Sequence, residues 1–307
     1  MYFFKLVRWP NLLIVLLTQY LIYFRLFNPV FQLNKIQSQL NTNQFLFFIL
    51  TTLCVTAAGY IINDLIDQKT DAINKPQKRI VGVHISTQVS NWLYITLAVI
   101  GFFLALYLAF ATDNLEWLFL YPVASLFLIV YSSHLKQKPL VGNLIVALLC
   151  SGVTGIVWIA EMKSIQLLSM KAPLVSHKLT VILIWYMVFA FLATLFREII
   201  KDLQDVEGDQ LTNCRTVPIA WGVPKAKLLA LCIGGLLVVL LFVQFFVLQN
   251  IFQRSILLYS LLALFIPLAV SFQRIVVASK AKDYWWISQL IKLILINGVL
   301  LLFFIRL

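Results

Sequence analysis

Residues 44–71 read QFLFFILTTLCVTAAGYIINDLIDQKTD, an apolar run that ends in a cluster of carboxylates. A run of about 20 apolar residues is long enough for a helix to cross a hydrocarbon layer about 30 Å thick. Asp64, Asp67 and Asp71 follow this run directly. The stretch therefore predicts a membrane-spanning helix with an acidic end.

Similar apolar runs recur along the whole chain. Of its 307 residues, 62% are hydrophobic and 12% are charged, which is not the composition of a soluble domain. The runs are continuous rather than alternating, so they favour helices over a β-barrel. We predict a single all-α domain over residues 1–307, a polytopic membrane bundle of about nine transmembrane helices. The runs lie near residues 10–30, 44–63, 90–111, 116–134, 142–160, 179–200, 226–248, 255–273 and 285–305.

Basic residues predict how the bundle is oriented. In a nine-span arrangement most Lys and Arg residues fall on one side of the membrane, the side that also holds the acidic residues. By the positive-inside rule this side is cytoplasmic. We therefore expect a multi-pass protein of the cell (inner) membrane with its active site facing the cytoplasm. The net charge of +12 is explained by this topology and by attraction to membrane lipid, so we expect no nucleic-acid partner.

A second acidic segment, KDLQDVEGD, occupies Lys201–Asp209. The two segments hold seven of the twelve acidic residues, and their carboxylates recur at spacings that place them on one face of a helix. Clustered carboxylates repel one another unless a cation neutralises them, and oxygen ligands suit Mg²⁺ together with a diphosphate. The candidate metal ligands are Asn63, Asp64, Asp67, Asp71, Asp202, Asp205 and Asp209.

Two alternatives compete with a metal site. Solvated loop acids balanced by lysines would explain one cluster, but two clusters with matching spacing argue against this. A cation carrier would also use membrane carboxylates, but it would place them near the bilayer midplane rather than at span ends. The cysteines and histidines are isolated in the sequence, so no zinc or haem site is indicated.

Three motifs resemble those of the UbiA superfamily of intramembrane prenyltransferases. Asn63–Arg79, NDLIDQKTDAINKPQKR, is similar to the first signature of that family. Tyr131–Lys136, YSSHLK, followed by Gly142 and Asn143, and Arg215–Gly222, RTVPIAWG, resemble further elements of the family. The likeness covers essentially the whole chain. It departs at one point, because the Arg of the signature falls on Lys78 and Arg79 comes one residue later. Either of these cations can bind the diphosphate.

The resemblance implies a mechanism and a set of site residues. Two Mg²⁺ ions between the acidic segments would bind the diphosphate of a polyprenyl donor and favour an allylic cation. A central cavity with a cytoplasmic cap would keep water from that cation. The implied catalytic residues are Asp67, Asp205, Lys136 and Tyr131. The implied substrate-binding residues are Arg8, Asn63, Lys78, Arg79, Lys136, Asn143 and Lys201.

The acceptor is lipophilic, and two acceptors are weighed. Arg197–Asp209 and Lys5–Asn11 are similar to the family branch that transfers a geranylgeranyl group to geranylgeranylglyceryl phosphate in ether-lipid synthesis. For that acceptor a basic group must meet the acceptor phosphate, and Arg8, Lys5 and Lys201 are the candidates. The alternative is prenylation of an aromatic ring in quinone synthesis.

Overall fold

The computed structural model describes residues 2–74, 76–115, 117–247 and 254–305. In these ranges the chain forms α-helices with short π and 3₁₀ segments and one isolated β-bridge, between Val81 and Ile85. The predicted all-α fold is confirmed. The α-helices are α1 (Tyr2–Leu6), α2 (Trp9–Leu21), α3 (Asn28–Leu33), α4 (Thr42–Ile66), α5 (Gln68–Asn74), α6 (Thr87–Ala111), α7 (Trp117–Ser133), α8 (Val141–Ala160), α9 (Met162–Lys171), α10 (Pro173–Gln204), α11 (Val206–Leu211), α12 (Val217–Trp221), α13 (Val223–Val247), α14 (Arg254–Ser260), α15 (Ile266–Val277) and α16 (Ala281–Leu300).

Eight helical stretches in the described ranges are long and apolar enough to span a membrane. The predicted span near residues 116–134 corresponds to α7, which has 17 residues and contains Pro122. That length is at the lower limit for a transmembrane helix. The eight stretches are Trp9–Leu33, Thr42–Ile66, Thr87–Ala111, Val141–Ala160, Pro173–Gln204, Val223–Gln244, Ile256–Val277 and Ala281–Phe303. The protein is therefore an integral membrane protein.

Polar caps, rather than the apolar runs, decide where two of these helices begin. The Asn41 side chain accepts a hydrogen bond from the Gln44 backbone N–H at 2.9 Å, and the Gln44 side chain accepts one from the Asn41 N–H at 2.9 Å. Ser86 Oγ accepts one from the Val89 N–H at 3.2 Å. Such caps satisfy N–H groups that have no partner inside the helix. The helices α4 and α6 therefore begin a few residues before the apolar runs from which they were predicted.

Contacts within the chain divide it into two compact units, and the first comprises Met1–Leu17, Gln39–Lys138 and Glu207–Arg215. In this unit α4 packs against α6 and α7. A Cβ atom at Gly101 would lie 2.4 Å from Tyr121 Oη and 2.9 Å from Cys54 Cβ, so only glycine fits without rearrangement. The Tyr121 hydroxyl donates to the Ala98 carbonyl at 2.7 Å. Small residues permit this close packing of helices in a membrane.

The second unit comprises Thr18–Ser38, Pro139–Val206 and Thr216–Leu307. Its central helix is α10, which packs against α8, α13 and α16. Fully buried side chains such as Phe196, Ile199 and Ile291 form the core of this unit. Gly234 on α13 faces Phe272, whose Cε1 atom would lie 2.4 Å from a Cβ placed there. Its neighbour Gly235 has nothing within 4 Å of the same position.

Gly234 and Gly235 provide a test of this packing. We expect Gly234→Leu to destabilise the protein by about 1–3 kcal/mol, since the added side chain must displace the Phe272 ring. Gly235→Leu is the matched control, because it changes the same helix by the same atoms in open space. The measurement is the thermal unfolding midpoint of each purified variant in detergent. Equal midpoints for the two variants would contradict the packing of α13 described above.

Candidate active site

The two acidic segments have the same local backbone structure. The helix α4 ends at Ile66 with Asp67 as its C-cap, and α10 ends at Gln204 with Asp205 as its C-cap. Helical hydrogen bonding continues to these caps, because the Asp67 N–H donates to the Asn63 carbonyl at 2.9 Å and the Asp205 N–H to the Lys201 carbonyl at 3.0 Å. A short helix follows each cap. Asp67 and Asp205 therefore each lie where a long helix gives way to a short one.

Asp64 is held by a cation from the start of the chain. Arg8 Nη2 lies 2.6 Å from Asp64 Oδ1, and the Arg8 guanidinium lies 4.8 Å from the centre of the Tyr60 ring. Burial lowers the pKa of Arg8, but Asp64, Tyr60 and Asp71 outweigh this and raise it above its ordinary value. Arg8 therefore stays a cation beside the first acidic segment. Its φ of 51° is uncommon for a residue other than glycine and turns the chain from α1 into α2.

Asp67 makes two polar contacts through its two carboxylate oxygens. Lys136 Nζ forms an ion pair with Oδ1, and Asn63 Nδ2 donates to Oδ2 at 2.8 Å. Lys136 lies in the 3₁₀ helix Leu135–Gln137, which follows α7. The side chains of Lys136 and Asp67 are only 15% and 20% exposed, so water screens their attraction less than at an open surface. Three predicted site residues thus come together, and Tyr131 lies half-buried in the last turns of α7.

The end of the second acidic segment packs on α5, which carries the end of the first. Asn74 Oδ1 accepts a hydrogen bond from the Gly208 N–H at 2.8 Å, and Asn74 Nδ2 donates to Asp209 Oδ1 at 3.5 Å. A Cβ atom on Gly208 would lie 2.2 Å from Asn74 Oδ1, so this approach requires glycine. Asn74 is not among the residues predicted for the site, although it belongs to the motif Asn63–Arg79. Its position in that motif was the signal.

Asp202 and Lys201 have partners within the second unit. Buried Asn143 donates through Nδ2 to Asp202 Oδ2 at 2.9 Å. Lys201 Nζ lies 2.7 and 3.0 Å from the two carboxylate oxygens of Glu198. Glu198 is not among the residues predicted for the site. The signal that was missed is a carboxylate within an apolar helix, which is rarely tolerated in a membrane without a function.

The structure gives less detail for two other predicted site residues, Lys78 and Arg79. Arg79 is half-buried after the 3₁₀ helix Pro76–Lys78, and the side chain of Lys78 lies outside the described part of the structure. Among the described residues, no group of three or more His, Cys, Asp or Glu side chains is arranged to hold a metal ion. Metal binding by the two acidic segments therefore stays a prediction. The chemistry of the donors nevertheless suits Mg²⁺, because they are carboxylate and amide oxygens.

The fold and these residues define an integral membrane protein with two acidic segments at helix ends, each accompanied by cations. The model of the UbiA prenyltransferase family matches residues 35–296. The chain belongs to this family and is a prenyltransferase, which confirms the resemblance read from its motifs.

Relatives and solved structures agree with this membership. The chain is 30% identical over 236 residues to digeranylgeranylglyceryl phosphate synthase of Saccharolobus solfataricus, covering 77% of each chain. It is 34% identical over 189 residues to the enzyme of that name from Methanosphaera stadtmanae, covering 61% of this chain and 62% of the relative. A UbiA homolog from Archaeoglobus fulgidus bound to DMAPP and Mg²⁺ has the same fold, with a TM-score of 0.58, 16% identity, and 98% of this chain and 99% of that one covered.

Proposed function

We propose that this protein transfers a geranylgeranyl group from its diphosphate to the free hydroxyl of geranylgeranylglyceryl phosphate, with Mg²⁺ as cofactor. The observation that carries the proposal is the pair of acidic segments with like backbone structure, each accompanied by cations. The activity in the names of the relatives supports the choice of acceptor. A homolog of the same fold bound to GPP and Mg²⁺ supports a prenyl diphosphate donor. Two ions would bind to Asn63, Asp64, Asp67, Asp71, Asp202, Asp205 and Asp209.

The contacts of these residues suggest how they serve the reaction. When bound, Mg²⁺ supplies positive charge to the diphosphate as it leaves. Asn63 orients the Asp67 carboxylate, and Lys136 lies beside it as a point charge that can also meet a diphosphate oxygen. In the overall reaction the bond between C1 of the donor and its diphosphate oxygen breaks, and both electrons leave with the diphosphate. The acceptor oxygen bonds to C1, and its proton is released.

One incubation tests the proposal. Purified protein is supplied with Mg²⁺, labelled geranylgeranyl diphosphate and a panel of acceptors, and the lipid formed is identified by mass spectrometry. We expect label in a digeranylgeranyl ether of glycerol phosphate. If only an aromatic acceptor is labelled, the protein acts in quinone synthesis rather than in ether-lipid synthesis. No labelled product from any acceptor would refute transfer to the proposed acceptor.

The active site is proposed to face the cytoplasm of the cell membrane. Support comes from the basic residues around both acidic segments, which the positive-inside rule places on that side. Cys214 is a half-buried free thiol that follows the second acidic segment closely, so it reports on this side. A membrane-impermeant maleimide should label Cys214 in inverted vesicles and not in intact cells. Labelling in intact cells would contradict the orientation.

Lys136→Ala is expected to lower kcat/KM for the donor by about 10–100-fold, because the variant loses the cation beside Asp67 that can contact a diphosphate oxygen. Lys136→Arg is the control, since it keeps the charge and should retain more activity. The measurement is steady-state kinetics with varied donor and saturating acceptor. Unchanged kinetics in Lys136→Ala would show that Lys136 helps to set the orientation in the membrane and has no role in the reaction.

A further inference from the structure

A charged cluster that includes two residues without an assigned role lies on α10, just before the second acidic segment. It consists of Arg197, Glu198 and Lys201, and Asp202 follows directly. At about 100° per residue, these four side chains fall within an arc of about 140° on the helix. They therefore share a face with the predicted metal ligands of α10.

The cluster is built around one carboxylate. Glu198 accepts from Lys201 Nζ at 2.7 Å and from Arg197 Nη1 at 3.4 Å. The three side chains are 10–31% exposed, so their charges are largely removed from water. Arg197 Nε is buried and has no hydrogen-bond partner among the described residues. A donor buried in this way lacks a hydrogen bond that a ligand oxygen can supply.

Charge balance indicates what such a ligand would be. Arg197 and Lys201 carry two positive charges, and Glu198 neutralises one of them. Asp202 can neutralise the second positive charge only when it does not bind a metal ion, so this charge balance rests on the proposed function. When Asp202 binds Mg²⁺, the cluster keeps a net positive charge at the edge of an apolar span, where an unbalanced charge is costly. A phosphate group would neutralise this charge and accept a hydrogen bond from the Nε–H group of Arg197.

We propose that Arg197 and Lys201, oriented by Glu198, bind the phosphate of the acceptor lipid. The other cations already described, Arg8 and Lys136, contact Asp64 and Asp67 of the first acidic segment rather than residues of α10. An arginine binds two phosphate oxygens with its planar fork, and a lysine adds a point charge. In this proposal Arg197 gives specificity for the acceptor by binding its phosphate, and Glu198 positions Arg197 and Lys201.

Distances along α10 agree with this assignment. Lys201 precedes Asp205 by four residues, about 6 Å along the helix, and Arg197 precedes Asp202 by five, about 7.5 Å. In a glycerol phosphate with one ether chain, the phosphate and the free hydroxyl are on adjacent carbons. A phosphate held by the cluster therefore keeps the hydroxyl within one or two helical turns of Asp202 and Asp205.

The structure also supplies a reporter for binding at this cluster. Cys150 is an exposed thiol on α8, the helix that packs against α10. Cys232 on α13 is also exposed and provides an internal control. The rate at which N-ethylmaleimide alkylates each thiol is measured by mass spectrometry of the peptides.

The first test is kinetic. In Arg197→Gln and in Lys201→Gln we expect the KM for geranylgeranylglyceryl phosphate to rise at least about tenfold, with the KM for the donor changed less than about twofold. Arg197→Lys should recover part of the loss. Lys171→Gln removes a matched cation, which contacts the Lys35 carbonyl elsewhere on the unit, and should leave both KM values unchanged. A rise in the donor KM instead, or a lower thermal midpoint with both KM values unchanged, would overturn the proposal.

The second test does not require turnover. Geranylgeranylglyceryl phosphate should slow alkylation of Cys150 several-fold and leave Cys232 unaffected, and the phosphate-free geranylgeranylglycerol should protect much less. The protection should disappear in Arg197→Gln. Equal protection by both lipids, or protection by pyrophosphate with Mg²⁺ and not by the phospholipid, refutes an acceptor-phosphate site. Because protection is read without product, failure of the acceptor panel and failure of this site are separate results.

Discussion

Asp67→Asn and Asp205→Asn should each lower kcat by at least about a hundredfold while the protein stays folded. Asparagine keeps the size of the side chain and removes its charge. Asp67 carries the ion pair with Lys136, and Asp205 ends α10 at the corresponding point of the second segment. With either charge lost, we expect the proposed site to bind Mg²⁺ less tightly and to stabilise the leaving diphosphate less. The measurement is single-turnover formation of the labelled lipid, which separates chemistry from product release.

The controls for this prediction are a carboxylate elsewhere and a test of folding. Asp113 is exposed between α6 and α7, and Asp113→Asn should retain full activity. Thermal midpoints of the site variants should stay within a few degrees of the parent, since asparagine keeps the size of the side chain and can still accept hydrogen bonds. Near-normal turnover in Asp67→Asn or Asp205→Asn would remove the role assigned to that carboxylate.

Removal of Mg²⁺ is expected to abolish transfer completely. In the proposed site the donor diphosphate binds beside carboxylates, so without a divalent cation the negative charges would repel one another. Treatment with EDTA should therefore reduce product to background, and excess Mg²⁺ should restore it. Addition of Mg²⁺ with pyrophosphate should also raise the thermal midpoint of the parent protein, because binding to the folded state stabilises it.

The Asp67→Asn variant provides the matched control for this experiment. It should show little or no rise in thermal midpoint when Mg²⁺ and pyrophosphate are added. A parent protein that retains full turnover in EDTA would contradict a metal-dependent mechanism. An equal rise in the midpoint of parent and variant would place the metal away from Asp67.

The cation contacts show where prediction from sequence stops. Arg8, Lys136 and Lys201 are predicted to bind substrate, but their motifs do not predict which carboxylate each one contacts. Arg8 contacts Asp64, which is 56 positions away, and Lys136 contacts Asp67, which is 69 positions away. Lys201 contacts Glu198, a residue that the spacing of the aspartates does not include. Spacing reports which side chains share a helix face and carries no information about the facing helix.

The membrane setting, the approximate spans and the two acidic segments can all be predicted from the order of the amino acids. Hydropathy is a local property of about 20 residues, and ligand type is a property of single side chains, so both can be read without a fold. The break of each long helix at Asp67 and Asp205, and the contact of Asn74 with Gly208, 134 positions away, are visible only in the folded chain. The same is true of the cluster around Glu198. These features depend on packing between helices, because the free energy of a buried charge is set by the neighbours that the fold brings to it.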